Sequence, residues 1–409
     1  MYKIIFLVLL LTHFFFRLAL QLLSNKQVGK PLPESVQGIY NEAEYNKWRS
    51  YNNKKDRLHI VSSVLSLALN IVLFCTNVIS MIYYALPGGD FIKALLFFLI
   101  IGAVDTVISL PVEYIFNFRI EAEFGFNKVT PKTFIADTVK NFILGTVLNL
   151  LIFSLVLGAH SLLGDYFGII AFVGLAVFMI LMSAFSTVFS KLFNKFTPLA
   201  EGELRERLSN MFAESGYKLK DIYVMDASRR TTKANAYCGG IGKLKQIVLF
   251  DNLVNNYSDG EITAVFAHEL AHLKNKDTTK MTFFNMLNFL PMMVMMTLAM
   301  IIPEISAEFG FSEPSILFAF YVSFGSLLSI VTSLIMIPFN YMSRAFERRA
   351  DSLAFEKGYG DDLISALRKL HKDSLSDMNP HPFVVKLTYN HPPLHERIEL
   401  IEDKKKNNK

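Results

Sequence analysis

Residues 91–117 read FIKALLFFLIIGAVDTVISLPVEYIFN, an almost unbroken apolar run that exceeds the roughly 20 residues a helix needs to cross a bilayer. Further runs of this kind lie at about 4–23, 59–86, 138–163, 167–190, 281–303 and 316–341. The first run resembles a signal peptide because Lys3 precedes it, but it continues past Arg17 without a small-residue cleavage site. The sequence therefore predicts a mainly α-helical membrane protein with about seven spans, the first of them a retained anchor.

The composition agrees with this prediction and excludes several classes of protein. Of the 409 residues, 52% are hydrophobic and 19% are charged, whereas soluble domains carry about 25% charged residues. A disordered chain needs the opposite balance. The net charge is only +5 and the basic residues form no long stripe, so nucleic acid is not an expected partner. The two cysteines are isolated, which excludes a disulfide framework.

The charges of the loops predict how the chain is oriented in the membrane. Loops rich in Lys and Arg alternate with loops that contain neither residue. The basic segments are 24–58, 118–137 and 191–280. The segments without Lys or Arg are 87–90, 160–165 and 303–315. Because Lys and Arg are enriched on the cytoplasmic side, we expect the N-terminus outside and both 191–280 and the C-terminal tail in the cytoplasm.

The polar segment 191–280 is long enough to fold by itself. Residues 204–217 have helical periodicity, and residues 221–225 and 246–250 are typical of strands. Gly239, Gly240 and Gly242 are expected to turn the chain between these strands. Ser258 and Glu261 form the pattern of a capping box, so a helix should begin there and run into the sixth span.

The motif that carries chemistry is His268-Glu-Leu-Ala-His272, within this predicted helix. Residues four apart share one helical face, so both imidazoles can bind a single zinc ion. Glu269 lies about 100° around the helix, where it can reach a water molecule on the metal and take its proton. The alternative is a surface helix with two solvated histidines. The helical context favours the catalytic interpretation.

A catalytic zinc of this type needs a third protein ligand. Position 278, six residues after His272, is Thr278, so the extended three-histidine pattern fails. Glu347 follows the seventh span on the same predicted side as His268, and it is our candidate for the third ligand. Asp351 is four residues further on and could orient a ligand imidazole. A glutamate among arginines is commonly a solvated ion pair, but the zinc motif and the topology favour the ligand role.

Together these segments resemble the CAAX prenyl protease 1 family, integral-membrane gluzincins that cleave prenylated C-terminal tripeptides. The resemblance covers almost the whole chain. Besides the zinc motif and the Glu347 segment, the similar blocks are Tyr45–Asn52, Phe118–Asn127, Phe193–Leu199, Gly202–Leu204, Met225–Arg229, Ala234–Tyr237 and His391–Pro393 with Arg397. The resemblance implies seven spans around a hydrophilic chamber and a cytoplasmic α+β gluzincin-like zinc protease domain.

The resemblance also implies roles for three residues outside the zinc motif. Asn235 would help to hold the substrate backbone or the oxyanion, beside a strand that aligns the peptide. His391 would donate to the oxyanion, and Arg397 would bind a carboxylate. From the sequence alone, Asn235 is better explained as a loop residue in an Asx turn, and the other two as ordinary tail residues.

The resulting organisation has four regions, with one Zn²⁺ expected per chain. Residues 1–190 form a membrane region with five spans, and 191–280 form a cytoplasmic insert with strands and the zinc-binding helix. Residues 281–341 supply the sixth and seventh spans, and 342–409 form a cytoplasmic C-terminal region with the third ligand. We expect this region to be helical through Leu370 and irregular around its prolines, with a frayed end at 404–409.

Charged residues within or beside the predicted spans indicate either a water-filled interior or buried ion pairs. They are Arg17, Asp105, Glu113, Asp137 and Lys140. The sequence does not separate these two alternatives.

The leading functional hypothesis is a membrane-embedded zinc metalloendopeptidase that acts on prenylated CAAX-type peptides or membrane-associated proteins. We expect a monomer in the lipid bilayer. Two alternatives stay open: a quality-control protease without prenyl dependence, and an inactive lipid-binding or scaffold protein. The short loops and a composition rich in Asn and Lys favour a bacterial inner membrane, with the endoplasmic reticulum as the location in a eukaryote.

Overall fold

Six long apolar helices dominate the computed structural model, which describes residues 1–214, 222–239 and 246–407. They are Tyr2–Gln27, Glu42–Cys75, Asp90–Glu121, Pro131–Leu163, Phe167–Ala184 and Asp277–Ile301. The helix Ile316–Gly325 and the helix that begins at Leu328 meet at a bend of 46°. Counted together as one bent span, they bring the number of spans to seven. The expectation of about seven spans in a mainly helical membrane protein is therefore confirmed.

In chain order, the elements of the membrane-proximal part up to the first strand are α1 (Tyr2–Gln27), α2 (Glu42–Cys75), α3 (Val78–Ala85), α4 (Asp90–Ile115), α5 (Pro131–Leu163), α6 (Phe167–Ala184) and α7 (Ser186–Ser190). The following elements, up to the end of the metal-motif helix, are β1 (Phe196–Pro198), α8 (Glu203–Glu214), β2 (Ile222–Met225), β3 (Ala236–Gly239), β4 (Gln246–Phe250), α9 (Asp251–Asn256) and α10 (Asp259–Lys274). The last elements are α11 (Asp277–Met286), α12 (Phe289–Ile301), α13 (Pro303–Glu308), α14 (Ile316–Phe320), α15 (Leu328–Ala354), α16 (Gly360–Asp373), α17 (Pro382–Thr388) and α18 (Leu394–Asn407).

The second span differs from its prediction at both ends. We expected it at about 59–86, but α2 begins at Glu42 and ends at Cys75, and α3 follows as a separate helix. Asn41 and Glu44 form a capping box that starts α2 far into the polar segment. Trp48, Tyr51 and Leu58 then bury one stripe of the extension against the soluble domain. Hydropathy alone detected only the apolar part of this helix.

The soluble domain contains a four-stranded sheet in the order β1-β2-β4-β3. Strands β2 and β4 are parallel, with Val224 opposite Leu249, and the two outer strands are antiparallel to their neighbours. The predicted strands at 221–225 and 246–250 correspond to β2 and β4, whereas β1 was not predicted and β3 was expected only from the resemblance, as the strand beside Asn235. Gly239, expected in the turn between the strands, is instead the last residue of β3. Strand β3 lies at the edge of the sheet, and no other strand of the described residues pairs with its outer side.

Some expectations for this domain fall partly on residues that the structure does not describe. The turn predicted at Gly240 and Gly242, and the end of the helix predicted for 204–217, lie outside the described residues; α8 is observed from Glu203 to Glu214. The capping box at the start of α10 is confirmed, because Ser258 accepts from the Glu261 N–H and Glu261 accepts from the Ser258 N–H. The expectation that this helix runs into the sixth span is wrong, because α10 ends at Lys274 and the span begins at Asp277 after a left-handed residue.

The C-terminal region is more ordered than the sequence predicted. We expected irregular chain around the prolines and a frayed end, but α17 and α18 are regular helices and α18 reaches Asn407. Pro382 stands in the first turn of α17, where a proline fits the helix. Leu394, Ile398 and Ile401 bury one face of α18 in the core of the soluble domain. Burial of this face holds the tail in place.

A cavity of about 660 Å³ lies among the membrane helices and is lined by residues of α2, α4, α5 and α14, of the segment after α14, and of the start of α15. Asp105 and Glu113 line it with exposed side chains, beside the amides of Asn70, Asn141 and Asn149. The sequence left open whether charges in the spans line a water-filled interior or form buried ion pairs. The positions of Asp105 and Glu113 agree with the first alternative. By contrast, Asp137 pairs with Arg230 at 3.1 Å and so joins α5 to the soluble domain.

Candidate metal centre

The two histidines of the motif lie on α10, a helix at the centre of the soluble domain. Most of its residues are buried on every side, and those with apolar side chains are Ile262, Ala264, Val265, Phe266, Ala267, Leu270, Ala271 and Leu273. His268 is buried and His272 is partly buried. Their Nε2 atoms are 3.2 Å apart because residues one turn apart share a face. The alternative of two solvated histidines on a surface helix does not agree with this burial.

Glu347 approaches both imidazoles from α15, as the sequence predicted for a third ligand. Its Oε2 lies 3.3 Å from His268 Nε2, and its Oε1 lies 3.3 Å from His272 Nε2. One atom from each of the three residues lies within 4.8 Å of the others. Glu347 is only 5% exposed, so this is not a solvated surface ion pair.

These three residues fit a bound metal ion. Glu347 Oε2 is a buried acceptor that lacks a hydrogen bond of proper geometry, although His268 Nε2 and His391 Nδ1 are close to it. Neutral imidazoles would point lone pairs at this oxygen and at each other, which is unfavourable without a cation between them. A donor set of two imidazoles and one carboxylate is the one that a catalytic zinc uses in proteases.

Asp351 contacts the second ring nitrogen of His268, and Arg397 in turn holds the Asp351 carboxylate. Asp351 is fully buried, and its Oδ1 lies 2.9 Å from His268 Nδ1. Arg397, on α18, donates to the same carboxylate from Nε at 2.8 Å and from Nη2 at 2.6 Å. The guanidinium is therefore engaged with Asp351, although the residue also lines the pocket. The sequence anticipated this contact for Asp351, and the resemblance implied that Arg397 binds a carboxylate, which in the structure is that of Asp351.

Asp277 holds the second histidine, and the sequence analysis missed it. Its Oδ2 lies 3.1 Å from His272 Nδ1, and Arg349 donates to its Oδ1. The pattern available in the sequence was an acidic residue five positions after the second histidine. That spacing does not follow one face of a helix, so only the turn between α10 and α11 brings the two side chains together.

Glu269 and His391 line the open side of the same pocket, which has a volume of about 500 Å³. Glu269 is partly buried, and His391 is 58% exposed with Nδ1 2.9 Å from Glu347 Oε2. The tail therefore lies over the metal centre. Both residues line the pocket that also contains the three candidate ligands.

Asn235 lies at the edge of this pocket, immediately before β3. Its Oδ1 accepts a hydrogen bond from the Ala236 N–H at 2.9 Å, and its backbone carbonyl accepts from the Phe250 N–H at 3.0 Å. Asn235, Ala236 and Tyr237 all line the pocket. The Asn235 side chain therefore lines the pocket of the three candidate ligands. Its local contact is with the next residue and not with the N–H two residues on, so it is not the Asx turn that the sequence offered as an alternative.

The charges of the pocket shift the pKa values of its titratable groups. Burial raises the pKa of the Glu269 carboxyl, although His268 and His272 oppose this shift. Burial alone lowers the pKa of His272, but the carboxylates of Asp277 and Glu347 outweigh it and raise the pKa to about 10. Protons therefore compete with a cation for the imidazoles. Burial by itself would lower the pKa of Arg397, but the neighbouring carboxylates, chiefly that of Asp351, together outweigh burial and raise it above its ordinary value. The guanidinium therefore stays charged.

Two family models divide the chain between them. The model described as CAAX prenyl protease N-terminal, five membrane helices, matches residues 21–195. The model of peptidase family M48 matches residues 198–405, which include the whole metal centre.

Individual relatives match nearly the full length. The CAAX prenyl protease 1 homolog of Arabidopsis thaliana is 30% identical over 389 residues, with 91% of each chain covered. CAAX prenyl protease 1 of Saccharomyces cerevisiae is 29% identical, with 92% of this chain and 90% of the yeast chain covered. The crystal structure of S. mikatae Ste24p superposes with a TM-score of 0.91 at 29% identity, covering 98% of this chain and 99% of the other.

Proposed function

Because the chain belongs to the CAAX prenyl protease 1 family of M48 peptidases and is a membrane metalloprotease, we propose that it cleaves the C-terminal peptides of prenylated CAAX-type proteins. The observation that carries the proposal is the position of the metal centre. Its pocket lies where the soluble domain meets α11 and α15, at the ends of the sixth and seventh spans. A substrate whose C-terminus is anchored by a lipid would present its scissile bond at this boundary.

We infer that the metal is zinc, one per chain, and that His268, His272 and Glu347 hold it. Bound there, zinc would act as a Lewis acid and lower the pKa of water at the open position towards ~7. The residues around this position would transfer the proton, stabilise the oxyanion and align the substrate. Glu269, one residue from His268 on α10, would accept the proton of the attacking water on its carboxylate and later deliver it to the leaving amine.

His391 and Asn235 would stabilise and align the substrate. The ring of His391 lies on the open side of the pocket, from which it can donate to the carbonyl oxygen as negative charge develops there. The free edge of β3 lies beside Asn235, so an extended peptide can add to the sheet by main-chain hydrogen bonds. Asp351 and Arg397 would keep His268 oriented without touching the substrate.

The central experiment compares a farnesylated CAAX-type peptide with its unlipidated twin, using purified full-length protein and following C-terminal peptide release by mass spectrometry. The proposal expects efficient cleavage of the farnesylated peptide and slow cleavage of the twin. The Glu269→Gln protein is the control for contaminating proteases. Equal cleavage of both peptides would support instead the alternative of a quality-control protease without prenyl dependence.

The identity of the third ligand has a separate test. Metal analysis of the wild-type protein should give about one zinc per chain, and the Glu347→Ala protein should retain zinc poorly after dialysis against a chelator. The matched control is Glu356→Ala, which alters an exposed glutamate in the segment after α15. Tight, full zinc occupancy in the Glu347→Ala protein would show that a different residue is the third ligand.

We also propose that the metal centre faces the cytoplasm and that the loop after α12 lies outside. The distribution of loop charges supports this orientation. Single cysteines at Asn256 and at Glu313, both exposed, report on the two sides after Cys75 and Cys238 are replaced by serine. In intact cells, an impermeant thiol reagent should label position 313 and not position 256. The reverse pattern would invert the topology.

A further inference from the structure

His272 is held by a chain of contacts that begins on a membrane helix. Its Nδ1 lies 3.1 Å from Asp277 Oδ2, and Arg349 donates to the other oxygen of that carboxylate. The arrangement repeats, with different residues, the contacts already described behind His268. Metal-binding histidines commonly direct their second nitrogen to a carboxylate, which fixes the tautomer and the orientation of the ring.

The backbone around Asp277 is shaped to make this contact. Asp277 is the first residue of α11, and Lys276 before it adopts a left-handed conformation with φ 56°. Such a conformation is uncommon for a residue with a side chain and is energetically unfavourable. It turns the chain sharply after α10, so that Asp277 lies beside His272 on the preceding helix. The Asp277 side chain is almost completely buried although it opens a membrane-spanning helix.

We propose that Asp277 is a positioning residue for the reaction, which orients the His272 ring towards the metal while Arg349 holds the carboxylate in place. The inference rests on the proposed metal site. Arg349 is two residues beyond Glu347 on α15, so this helix supplies one ligand directly and steadies another through the aspartate. The start of the sixth span and the end of the seventh are thereby joined at the metal centre.

A purely structural role for the same contacts is the competing explanation, because Asp277 also ties α11 to α15 through Arg349. The two roles differ in what they stabilise. A structural tie affects the melting temperature of the metal-stripped protein and leaves the zinc affinity of the folded protein unchanged. A positioning role lowers the zinc affinity of a protein that is folded normally.

The experiment measures zinc affinity of the full-length protein in detergent, by competition with a chromophoric chelator after the metal has been stripped. Asp277→Ala should weaken zinc binding by roughly 10–100-fold, the usual loss when such a partner is removed. Asp277→Asn should fall between this variant and the wild type, since it keeps an acceptor without the charge. Arg349→Gln, a change at a partly exposed residue, should weaken binding less than Asp277→Ala.

Lys280→Ala is the matched control, because the Lys280 ammonium lies 4.0 Å from the same carboxylate on a side chain that is about half exposed. Its zinc affinity should equal that of the wild type. If the wild type and Asp277→Ala bind zinc within twofold of each other, the positioning role is wrong. Should Asp277→Ala not fold, unchanged affinity in Arg349→Gln and Asp277→Asn decides against it. A wild type that binds no zinc refutes the proposed metal site itself, which keeps the two failures distinct.

Discussion

Two cavities of this protein contain carboxylates in opposite surroundings. In the cavity among the membrane helices, Asp105 and Glu113 are exposed, and no ion pair to either is found in the described part of the chain. In the pocket beside α10, Glu347 and Asp351 are buried, and each contacts an imidazole. The same functional group is thus solvated in one cavity and confined by specific partners in the other.

The difference shows where the molecule is sensitive to change. A solvated carboxylate keeps its hydration, so its replacement costs little. A buried carboxylate is stable only while its partners remain, and removing one partner leaves an unpaired charge or polar group in a poorly solvating environment. The metal pocket should therefore respond strongly to single substitutions, and the membrane cavity weakly. The four predictions below test this contrast, beginning with the largest expected effect.

Glu269→Gln should reduce peptide hydrolysis by roughly 10²–10⁴-fold, because the amide preserves the shape of the side chain but does not accept the proton of the attacking water. Zinc content should stay at the wild-type value, since Glu269 is not one of the three proposed ligands. The measurement is steady-state cleavage together with metal analysis of the same preparation. Cleavage at a rate near that of the wild type would contradict the role of general base.

Arg397→Ala should destabilise the protein by roughly 3–5 kcal/mol, the usual cost of removing one partner of a buried ion pair, because the buried Asp351 carboxylate loses its charged partner and keeps the His268 imidazole. Thermal melting of the detergent-solubilised protein measures the loss. The control is Arg348→Ala, which breaks the partly exposed pair with Glu396 and should cost at most about 1 kcal/mol. Equal shifts in melting temperature in the two variants would mean that the buried pair contributes no more to stability than the other pair.

His391→Ala should lower kcat by roughly 10²–10³-fold, the effect of losing one donor to the oxyanion. The side chain is more than half exposed, so the melting temperature should barely move. This separation of activity from stability distinguishes His391 from Arg397 in the same C-terminal region. A large fall in melting temperature with little change in kcat would assign His391 a structural role.

Asp105→Asn and Glu113→Gln should each change the melting temperature by less than the equivalent of about 0.5 kcal/mol, because both carboxylates are exposed in the membrane cavity. Cleavage of the farnesylated peptide should stay within about twofold of the wild-type rate. Loss of activity with unchanged stability would show that these carboxylates contact the substrate. In that case the contrast between the cavities would not hold for function.

Local patterns predicted much of the fold and of the site. The apolar runs located the spans, the Ser258 and Glu261 pair located the start of α10, and the spacing of His268 and His272 located the metal motif. Each of these signals depends only on neighbours within one helix. The same property explains the error at the second span, where the polar extension of α2 is helical because Trp48 and Tyr51 pack against a distant part of the chain.

The sequence by itself determined that this is a helical membrane metalloprotease of a recognisable family, since hydropathy and helical spacing are properties of contiguous residues. Only the tertiary structure decided which carboxylate stands behind each imidazole. Asp277 reaches His272 through a left-handed turn at Lys276, and Arg397 reaches Asp351 because α18 packs its apolar face into the core. Contacts between residues far apart in the chain depend on how whole elements pack, and no local periodicity encodes that packing.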